Sequence, residues 1–531
     1  MMAIAAVQQA LDSQPTKDKL KKVAVANSGP SNRTRKFLLD VTILPLTQKQ
    51  RLYTLCLFYR CWFVADSIFW YDFETTGIDA VLDRPLQFAG VRTDLALKEI
   101  AEPVNIFCRP GRDVLPHPQA LLVTRIMMSE VLAKGLIEKD FSDRVLREFE
   151  VPQTCVTGFN SIRFDDEFTR QMLYRNFRDP YAREWRNGNS RWDVIDLFRA
   201  AYALRPEGFT WPEREPGIPS FRLKDLAQAN DVEHSDAHDA LADVRATIEI
   251  TRLLRQVQPK LYEFAWRLRD KKAVVQQLYP LGKRAVVHVS SMYPAAQGCT
   301  AVVLPVCQHP TNNNAIICFN LSQSPEQLLN ADVRSLSRLV FSRPDELADE
   351  EARIALKSVH INRSPIIAPF STLGESEANR LGFNLSRCQQ HLEALRGSAG
   401  LVEKIQEAFS ENQFVDIDDP DFELYSGGFF SDDDRTTMNE VAVAEPHALA
   451  GFTGRFQDER LDEMLFRYRA RNWPDSLTES ESVRWRLHCD SRWQMDGRAG
   501  NLKAEMSELI ASETGDRLAV LQDLQSYIDQ L

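Results

Sequence analysis

Two acidic residues in the string YDFETTG have a spacing that suits metal chemistry. Asp72 and Glu74 stand two residues apart at the end of a short apolar run. Residues two apart on a β-strand lie on one face, so both carboxylates can reach a common cation. An Asp-x-Glu pair at a strand end is also common in plain surface turns. The pair gains meaning only together with ligands from elsewhere in the chain.

A second acidic site follows the apolar run CVTGFN. In NSIRFDDEF, Asp165 stands where a helix is predicted to begin. The free N–H groups and the dipole of a helix favour an acidic residue in its first turn whatever its function. Asp166 and Glu167 come directly after it. The residues alone therefore leave open which of the three carboxylates is a metal ligand.

The third site is His238 with Asp243 in the string AHDALADV. Five residues on a regular helix are about 140° apart. The two side chains can converge only if His238 stands at the entrance of the helix and Asp243 projects from its body. A single histidine before a helix is otherwise often an incidental surface residue.

Taken together, the carboxylates of the three motifs and one imidazole fit phosphodiester hydrolysis. Two divalent cations about 3.5–4 Å apart can clamp the attacking water and the leaving oxygen of a phosphodiester. Carboxylate oxygens suit Mg²⁺, for which Mn²⁺ can substitute. An imidazole has the right pKa to take a proton from water near neutral pH. The set therefore predicts a metal-dependent hydrolase.

The elements that must position these residues belong to an α/β region over residues 67–256. Three apolar runs predict strands that begin as a meander, SIFWYDFE, LQFAGVRTD and VNIFCRP, and CVTGFN predicts a buried strand. Helices are predicted over 141–150, 165–177 and 238–254 from their apolar periodicity. Strands followed by helices indicate an α/β domain that ends near Pro259.

The remainder of the chain changes character twice. The runs AVVHVS, TAVVLPVC, AIICFNL and VHINRSPIIAP predict a β-containing domain over residues 259–411, and residues 414–531 are mostly helical in pattern. The acidic stretch at 412–434 is interpreted as a solvated linker and helix cap, because a block of like charges repels itself unless it holds a cation. Residues 1–66 are interpreted as an N-terminal extension, disordered in part.

Bulk composition excludes several classes of protein. A chain of 531 residues is too long for one core and predicts several domains. Its net charge of −11 argues against a general basic surface for duplex nucleic acid, although it permits a local basic groove. The nine cysteines form no CxxC pair, which favours a reducing cytoplasm. The long apolar run at 52–65 carries Arg60 and is shorter than the roughly 20 residues of a membrane span.

In their order, the motifs Asp-x-Glu, Asn-x-x-x-Phe-Asp and His-x-x-x-x-Asp resemble the DEDDh superfamily of 3′-to-5′ exonucleases. Longer strings resemble bacterial exonuclease I from about residue 67 almost to the C-terminus: WYDFETTG, LDRPLQFAGVRTD, GFNSIRFDDEFTR, YRNFRDPYA, NSRWDVIDLFRAAYALRPEG, PSFRLKDLAQANDVEHSDAHDALADV and LFRYRARNWP. The resemblance implies a multidomain α/β plus α+β fold. It would have a ribonuclease-H-like exonuclease domain, an SH3-like domain and a helical C-terminal domain that enclose a groove.

The same resemblance assigns roles to the motif residues. It implies that Asp72, Glu74, Asp165 and Asp243 hold two Mg²⁺ ions and that His238 is the general base.

Substrate contacts are implied for Glu74, Arg170 and Arg222. Residues 163–222 contain arginine but no lysine, which fits bidentate grip on phosphate. Solvated salt bridges are the alternative explanation of these arginines.

The function that the resemblance implies is hydrolysis of single-stranded DNA from its 3′ end to 5′-mononucleotides, in DNA repair and recombination. The acidic tail of single-stranded-DNA-binding protein is an implied partner, and we expect a cytoplasmic monomer without membrane contacts. One alternative is an RNA-trimming exonuclease, since metal ligands cannot separate the sugars. Roughly half of the chain follows the first domain, which is more than compact RNA trimmers need. The other alternative is a catalytically inactive module that binds single strands.

Overall fold

The computed structural model describes residues 66–234, 239–348, 351–410 and 419–531, all of them in the unit Val64–Leu531. The extension predicted over residues 1–66 lies outside the described residues, apart from Asp66. His238, the predicted general base, also lies outside them. Secondary structure is therefore reported for the remaining part of the chain.

A five-stranded mixed sheet forms the frame of the first region. Its strands are β1 Ser67–Thr75, β2 Pro85–Thr93, β3 Val104–Phe107, β4 Thr154–Gly158 and β5 Ser190–Asp193, in the spatial order β3-β2-β1-β4-β5. The first three strands pair antiparallel, as the predicted meander requires, whereas β4 and β5 run parallel to β1. Parallel neighbours need a long crossover. The segment between β4 and β5 supplies one and contains a helix.

Helices surround this sheet and join it to the next region. They are α1 Pro118–Thr124, α2 Met128–Lys134, α3 Glu138–Phe149, α4 Asp165–Arg175, α5 Val194–Leu204, α6 Leu223–Ala229, α7 Ala240–Val257, α8 Pro259–Arg267 and α9 Lys271–Leu278. A short hairpin, β6 Glu213–Glu215 with β7 Ile218–Pro219, lies between α5 and α6.

The predicted helix bounds differ from the observed ones at their ends. Helix α4 stops at Arg175 because Phe177 adopts a left-handed conformation with φ 57°. Helix α7 begins at Ala240 because the Asp239 side chain caps it, accepting from the N–H groups of Leu241 and Ala242.

A second five-stranded sheet follows and is antiparallel throughout. Its strands are β8 Val286–Val289, β9 Thr300–Gln308, β10 Ala315–Asn320, β11 Leu356–His360 and β12 Ile367–Pro369, in the order β11-β10-β9-β8-β12. Its helices are α10 Glu326–Asn330, α11 Val333–Phe341, α12 Glu375–Arg380, α13 Leu385–Arg396 and α14 Leu401–Ser410. The four strand-rich runs of the sequence supply all five strands.

The last region is helical, as its sequence predicts. It contains α15 Asp432–Val443, α16 Glu459–Asn472, α17 Glu479–Gln494, α18 Arg498–Ser512 and α19 Gly515–Ile528. The acidic stretch ends as the predicted helix cap, because Ser431 accepts from the N–H of Asp434 at the start of α15. Its interpretation as solvated is wrong for Asp421 and Asp434, which are buried, and residues 412–418 lie outside the described residues. Among the helices of the described ranges, none has both the length and the apolarity that crossing a bilayer requires.

Strand β1 separates two cores. On one face Phe69, Tyr71 and Phe73 pack against the aromatic rings of β2 and α3. On the other face Ile68 and Trp70 belong to a core that contains buried residues of α7 and continues through α8 and α9 into the second sheet. A strand buried on both faces is held rigidly, so residues at its carboxyl end are fixed in position.

Candidate active site

Asp72 and Glu74 project from the same face of β1. Burial alternates at the end of the strand, where both acidic residues are half-buried and the intervening Phe73 is buried. The ring of Phe73 packs on Phe88 with centroids 5.1 Å apart. The aromatic residue thus anchors the strand end, and strand alternation places the two carboxylates together on the opposite face.

Asp165 reaches this strand end from α4. The N–H of Phe73 donates to Asp165 Oδ1 at 3.0 Å, and the Asp165 side chain is buried. Strand β4 pairs with β1 only from Ser67 to Trp70, so the Phe73 N–H lies beyond the ladder and needs another acceptor. One oxygen of Asp165 meets that need and ties the first turn of α4 to β1.

Asp243 arrives from the first turn of α7, which packs over β1 and β2. Carboxylate oxygens of Asp72, Glu74 and Asp243 all lie within 4.8 Å of one another. The start of the helix is held above them, because Gln87 on β2 donates to the cap residue Asp239 at 3.4 Å. Gln87 is the ladder partner of Glu74. The antiparallel pair of strands therefore positions the helix that carries the third carboxylate.

The structure separates the three adjacent acidic residues of α4. Both oxygens of Asp166 are occupied, Oδ1 by Tyr71 at 2.8 Å and Arg183 at 2.6 Å, and Oδ2 by Arg191 at 2.8 Å. Although burial alone would raise the pKa of Asp166, these arginines hold it below its ordinary range. Its carboxylate is a structural anchor with no position left for a cation.

Glu167 is also held away from the cluster. It accepts from Arg170 at 2.7 Å and from the Tyr425 hydroxyl. Of the three acidic residues at the start of α4, Asp165 is the one that accepts from the backbone N–H between Asp72 and Glu74 and has no arginine partner among the described residues, so the geometry favours it as the ligand.

The turn after Glu74 requires its sequence Thr-Thr-Gly. The Thr75 hydroxyl donates to the carbonyl of Gly77 at 2.6 Å, and the Thr76 hydroxyl accepts from the N–H of Arg84 at 2.9 Å. A Cβ on Gly77 would lie 2.3 Å from the Asp83 carboxylate and 2.6 Å from the His117 ring. Any other residue there would have to displace the side chains of Asp83 and His117, so the turn closes tightly against the end of β1.

Electrostatics at the cluster favour a cation. Burial raises the pKa values of Asp72, Glu74 and Asp165 well above their ordinary ranges, and neighbouring carboxylates raise them further. Across the described ranges, no lysine or arginine forms an ion pair with these three residues. Clustered hard oxygens without a neutralising side chain are the donor set that Mg²⁺ and Mn²⁺ prefer. The residues present thus fit divalent cations.

We expect Mn²⁺ to stabilise the protein against heat more at about pH 8 than at about pH 6. Carboxyls whose folded pKa is raised contribute stability that is complete below their unfolded pKa and is lost as the pH rises through the folded pKa. Repulsion among Asp72, Glu74 and Asp165 therefore destabilises the metal-free protein more as the pH rises. A bound cation neutralises these charges and removes that destabilisation. Thermal midpoints with Mn²⁺ and with EDTA at both pH values measure the difference. Equal shifts at both values would contradict the expectation.

Two histidines stand four residues apart before α7, and the structure describes only the first. His234 Nε2 and Asp243 Oδ1 are hydrogen-bonded at 2.5 Å. The sequence motif selects His238 and gives no role to His234, although the string EHSDAH displays both. The hydrogen bond from the His234 imidazole therefore helps to orient the Asp243 carboxylate.

The two predicted substrate arginines have different environments. Arg170 is buried and binds Glu184 at 2.8 Å as well as Glu167, so carboxylates neutralise its charge in the structure. Arg222 is exposed at the N-terminus of α6. Within the described ranges, no ion pair joins the Arg222 guanidinium to Asp72, Glu74 or Asp165. The structure thus brings carboxylate oxygens of Asp72, Glu74 and Asp243 within 4.8 Å of one another and ties Asp165 to the same strand end, whereas Arg170 binds other carboxylates.

Family comparisons agree with one another along the chain. A family model described as Exonuclease matches residues 69–251. The models described as Exonuclease I SH3-like domain and Exonuclease I C-terminal domain match residues 269–411 and 418–531. Exodeoxyribonuclease I of Escherichia coli strain K12 is 40% identical over 469 residues, which are 88% of this chain and 98% of that protein.

Solved structures show the same similarity. The zinc-bound structure of the E. coli exonuclease I complex with single-stranded DNA has a TM-score of 0.83 and 40% identity, and the match covers 88% of this chain and 99% of that one. A crystal structure of SSB/Exonuclease I in complex with an inhibitor has a TM-score of 0.82 at 40% identity, with the same coverage. Sequence and fold therefore agree over nearly the full length of these proteins.

Proposed function

Because the chain belongs to the exonuclease I family, we propose that it hydrolyses single-stranded DNA from the 3′ end and releases 5′-mononucleotides. It is a metal-dependent exodeoxyribonuclease with the family's three regions: a ribonuclease-H-like exonuclease domain, an SH3-like domain and a helical domain. The observation that carries the proposal is the convergence of carboxylate oxygens from β1 and α7 within 4.8 Å, with Asp165 bonded to the same strand end.

In this proposal Asp72, Glu74, Asp165 and Asp243 hold two Mg²⁺ ions, and Mn²⁺ can replace them. When bound, such a pair of cations polarises the scissile phosphate and stabilises the charge of the leaving 3′ oxygen. The chain's own part is to fix its four carboxylates on rigid elements before the substrate arrives. The zinc-bound structure of E. coli exonuclease I supports a divalent-cation site in this chain.

His238 is proposed as the general base that takes a proton from the attacking water. The motif and the family position support the assignment, which falls on a residue outside the described part of the chain. An imidazole suits this role because its ordinary pKa lies near neutrality. Glu74 is proposed to contact the terminal nucleotide as well as metal.

Arg222→Ala should weaken binding of single-stranded DNA and lower its dependence on salt by about one counterion, because we propose that the exposed guanidinium contacts a backbone phosphate. Fluorescence anisotropy of a labelled oligonucleotide over a range of salt concentrations measures both effects. Arg435→Ala, an exposed arginine on α15, is the matched control. Equal affinities and salt slopes for wild type and Arg222→Ala would remove Arg222 from the proposed contacts.

Arg170 is proposed as a second strand contact. Its guanidinium would have to share its charge with Glu167 and Glu184, which it binds in the structure. The guanidinium also donates to the Tyr425 hydroxyl at 3.3 Å, so these contacts fix the side chain in position.

The proposal extends to partners and location. We propose that the acidic tail of single-stranded-DNA-binding protein docks on the protein, since a solved structure combines SSB with exonuclease I. The protein would act as a monomer in cytoplasmic DNA repair and recombination. All seven cysteines of the described part are buried and unpaired, which supports a reducing compartment. We divide the chain into an extension at 1–66 and domains at 67–256, 259–411 and 414–531.

Parallel digestion of matched DNA and RNA strands tests the proposal. Both strands carry a 5′ label, and wild-type protein is supplied with Mg²⁺ or with EDTA. We expect the DNA to shorten progressively from its 3′ end with Mg²⁺ alone, while the RNA survives. Preferential loss of the RNA would favour the trimming exonuclease. Tight binding of both strands without turnover would favour the inactive binding module.

A further inference from the structure

Asp193 lies at the carboxyl end of β5 and makes more hydrogen bonds than a helix cap requires. Its Oδ1 accepts from the N–H groups of Ile195 at 3.1 Å and Asn160 at 2.9 Å, and its Oδ2 accepts from the N–H of Ile162 at 3.1 Å. The bond to Ile195 caps α5. The other two bonds reach the loop after β4, and both carboxylate oxygens are occupied.

The loop that Asp193 holds leads directly to Asp165. Asn160 adopts a left-handed conformation with φ 65°, which non-glycine residues rarely adopt without support. At the start of the loop, a Cβ on Gly158 would lie 2.6 Å from the Tyr71 carbonyl on β1. The loop is therefore pressed against β1 in a conformation that requires external bonds.

The pairing of β4 with β5 brings Asp193 next to the start of the loop. Gly158 and Asp193 are register partners in the parallel pair of β4 and β5. The Asp193 carboxylate is 7% exposed and is close enough to Asp165 for its charge to raise the pKa of that residue. Asp193 thus lies behind the metal-binding face without being part of it.

We propose that Asp193 is a positioning residue, which holds the loop at 159–164 so that Asp165 reaches the Phe73 N–H and completes the carboxylate cluster. The inference rests on the proposed function only in taking Asp165 as a metal ligand. The carboxylate acts through backbone bonds, so it contacts neither metal nor DNA.

Asparagine in place of Asp193 separates the cap of α5 from the bonds to the loop. Asn and Asp cap helices about equally well, so Asp193→Asn keeps the bond to α5. An amide has a single acceptor oxygen, and its NH₂ group would face a backbone N–H of the loop. The variant therefore keeps the cap and loses at least one bond to the loop.

Binding of Mn²⁺ to the DNA-free protein, followed by the EPR signal of free Mn²⁺, tests the proposal without nuclease activity. Burial and nearby Asp196 raise the pKa of Asp193 to about 7, so titrations at about pH 8.5 keep it ionised. We expect Asp193→Asn to weaken Mn²⁺ binding roughly 10- to 100-fold, the range typical of an outer-sphere partner. Asp332→Asn, which alters the cap of α11 alone, should bind as wild type does.

Asp193→Ser guards against a variant that fails to fold. Its hydroxyl can cap α5 but cannot accept from both loop N–H groups, so a similar loss of Mn²⁺ affinity is expected. Wild-type affinity in a folded Asn or Ser variant would overturn the positioning role and leave the proposed metal site intact. Absence of Mn²⁺ binding by the wild-type protein would instead overturn the metal site and the positioning role together.

Discussion

Asp72→Asn should lower Mg²⁺-dependent hydrolysis at least about 100-fold, beyond the roughly 10- to 100-fold loss typical of an outer-sphere partner. Asn keeps the shape of the side chain on β1 and removes one of the clustered negative charges. The same change should leave the metal-free protein at least as stable as wild type. The carboxylate of Asp72 is repelled by Asp165, Glu74 and Asp243, and burial already disfavours its charge.

Initial rates on a labelled single strand and thermal midpoints in EDTA measure the two effects. Asp490→Asn, an exposed position on α17, is the control and should change neither quantity. Unaltered hydrolysis by Asp72→Asn would remove this residue from the metal site. Lost hydrolysis together with a large loss of stability would show that Asp72 serves the fold instead.

Asp421→Asn should destabilise the protein by about 3–5 kcal/mol, the usual cost of breaking a buried ion pair from one side. Asp421 is 1% exposed and accepts from Arg467 at 2.9 Å, Arg471 at 2.5 Å and Arg492 at 3.0 Å. Arg471 also binds Asp113 at 3.0 Å, before α1. The network therefore joins the C-terminal helices to the first region. The variant removes the carboxylate that three largely buried arginines share, and their remaining partners include Asp419 and Asp113.

Urea denaturation followed by tryptophan fluorescence measures the loss. The control is Asp432→Asn. The Asp432 side chain is fully exposed and lies 3.8 Å from Arg435, so this change should lower the free energy of unfolding by less than about 1 kcal/mol.

Acid provides a second readout of the same network. Burial alone would raise the pKa of Asp421, but Arg471 and Arg467 hold it well below its ordinary value. This stabilisation is present above the unfolded pKa, near 4, and is lost as the pH falls below it. Wild type should thus lose more stability than the variant on acidification, and parallel pH profiles would contradict this account.

Local patterns were sufficient to predict much of the fold. Apolar runs predicted every strand of both sheets except β5, because a strand that packs against a core carries apolar residues. Strand β5 has only four residues, Ser190–Asp193, and was not predicted. The two-residue spacing of Asp72 and Glu74 predicted their common face, which β1 confirms. Helix ends were predicted less well, since they depend on caps such as Asp239 and on backbone reversals such as that at Phe177.

What the sequence could not decide depends on contacts between distant residues. Asp165 and Asp166 are chemically identical neighbours. They differ because Arg183 and Arg191, which are distant in the chain, bind the second, and the Phe73 N–H binds the first. The bonds of Asp193 to the loop after β4 span 31 and 33 residues and follow no motif. Likewise, Glu184 and Tyr425 from two other segments contact Arg170, so its burial could not be predicted from its position in the chain.

Release of a labelled 5′-mononucleotide from the 3′ end of single-stranded DNA tests the central claim most directly. Wild-type protein is given a 3′-labelled strand with Mg²⁺, with EDTA, and in parallel with the Asp243→Ala variant. The carboxylate cluster predicts that the label leaves as a mononucleotide only when both Mg²⁺ and Asp243 are present. An intact strand with wild type and Mg²⁺, or release that persists in EDTA or without Asp243, would contradict the account.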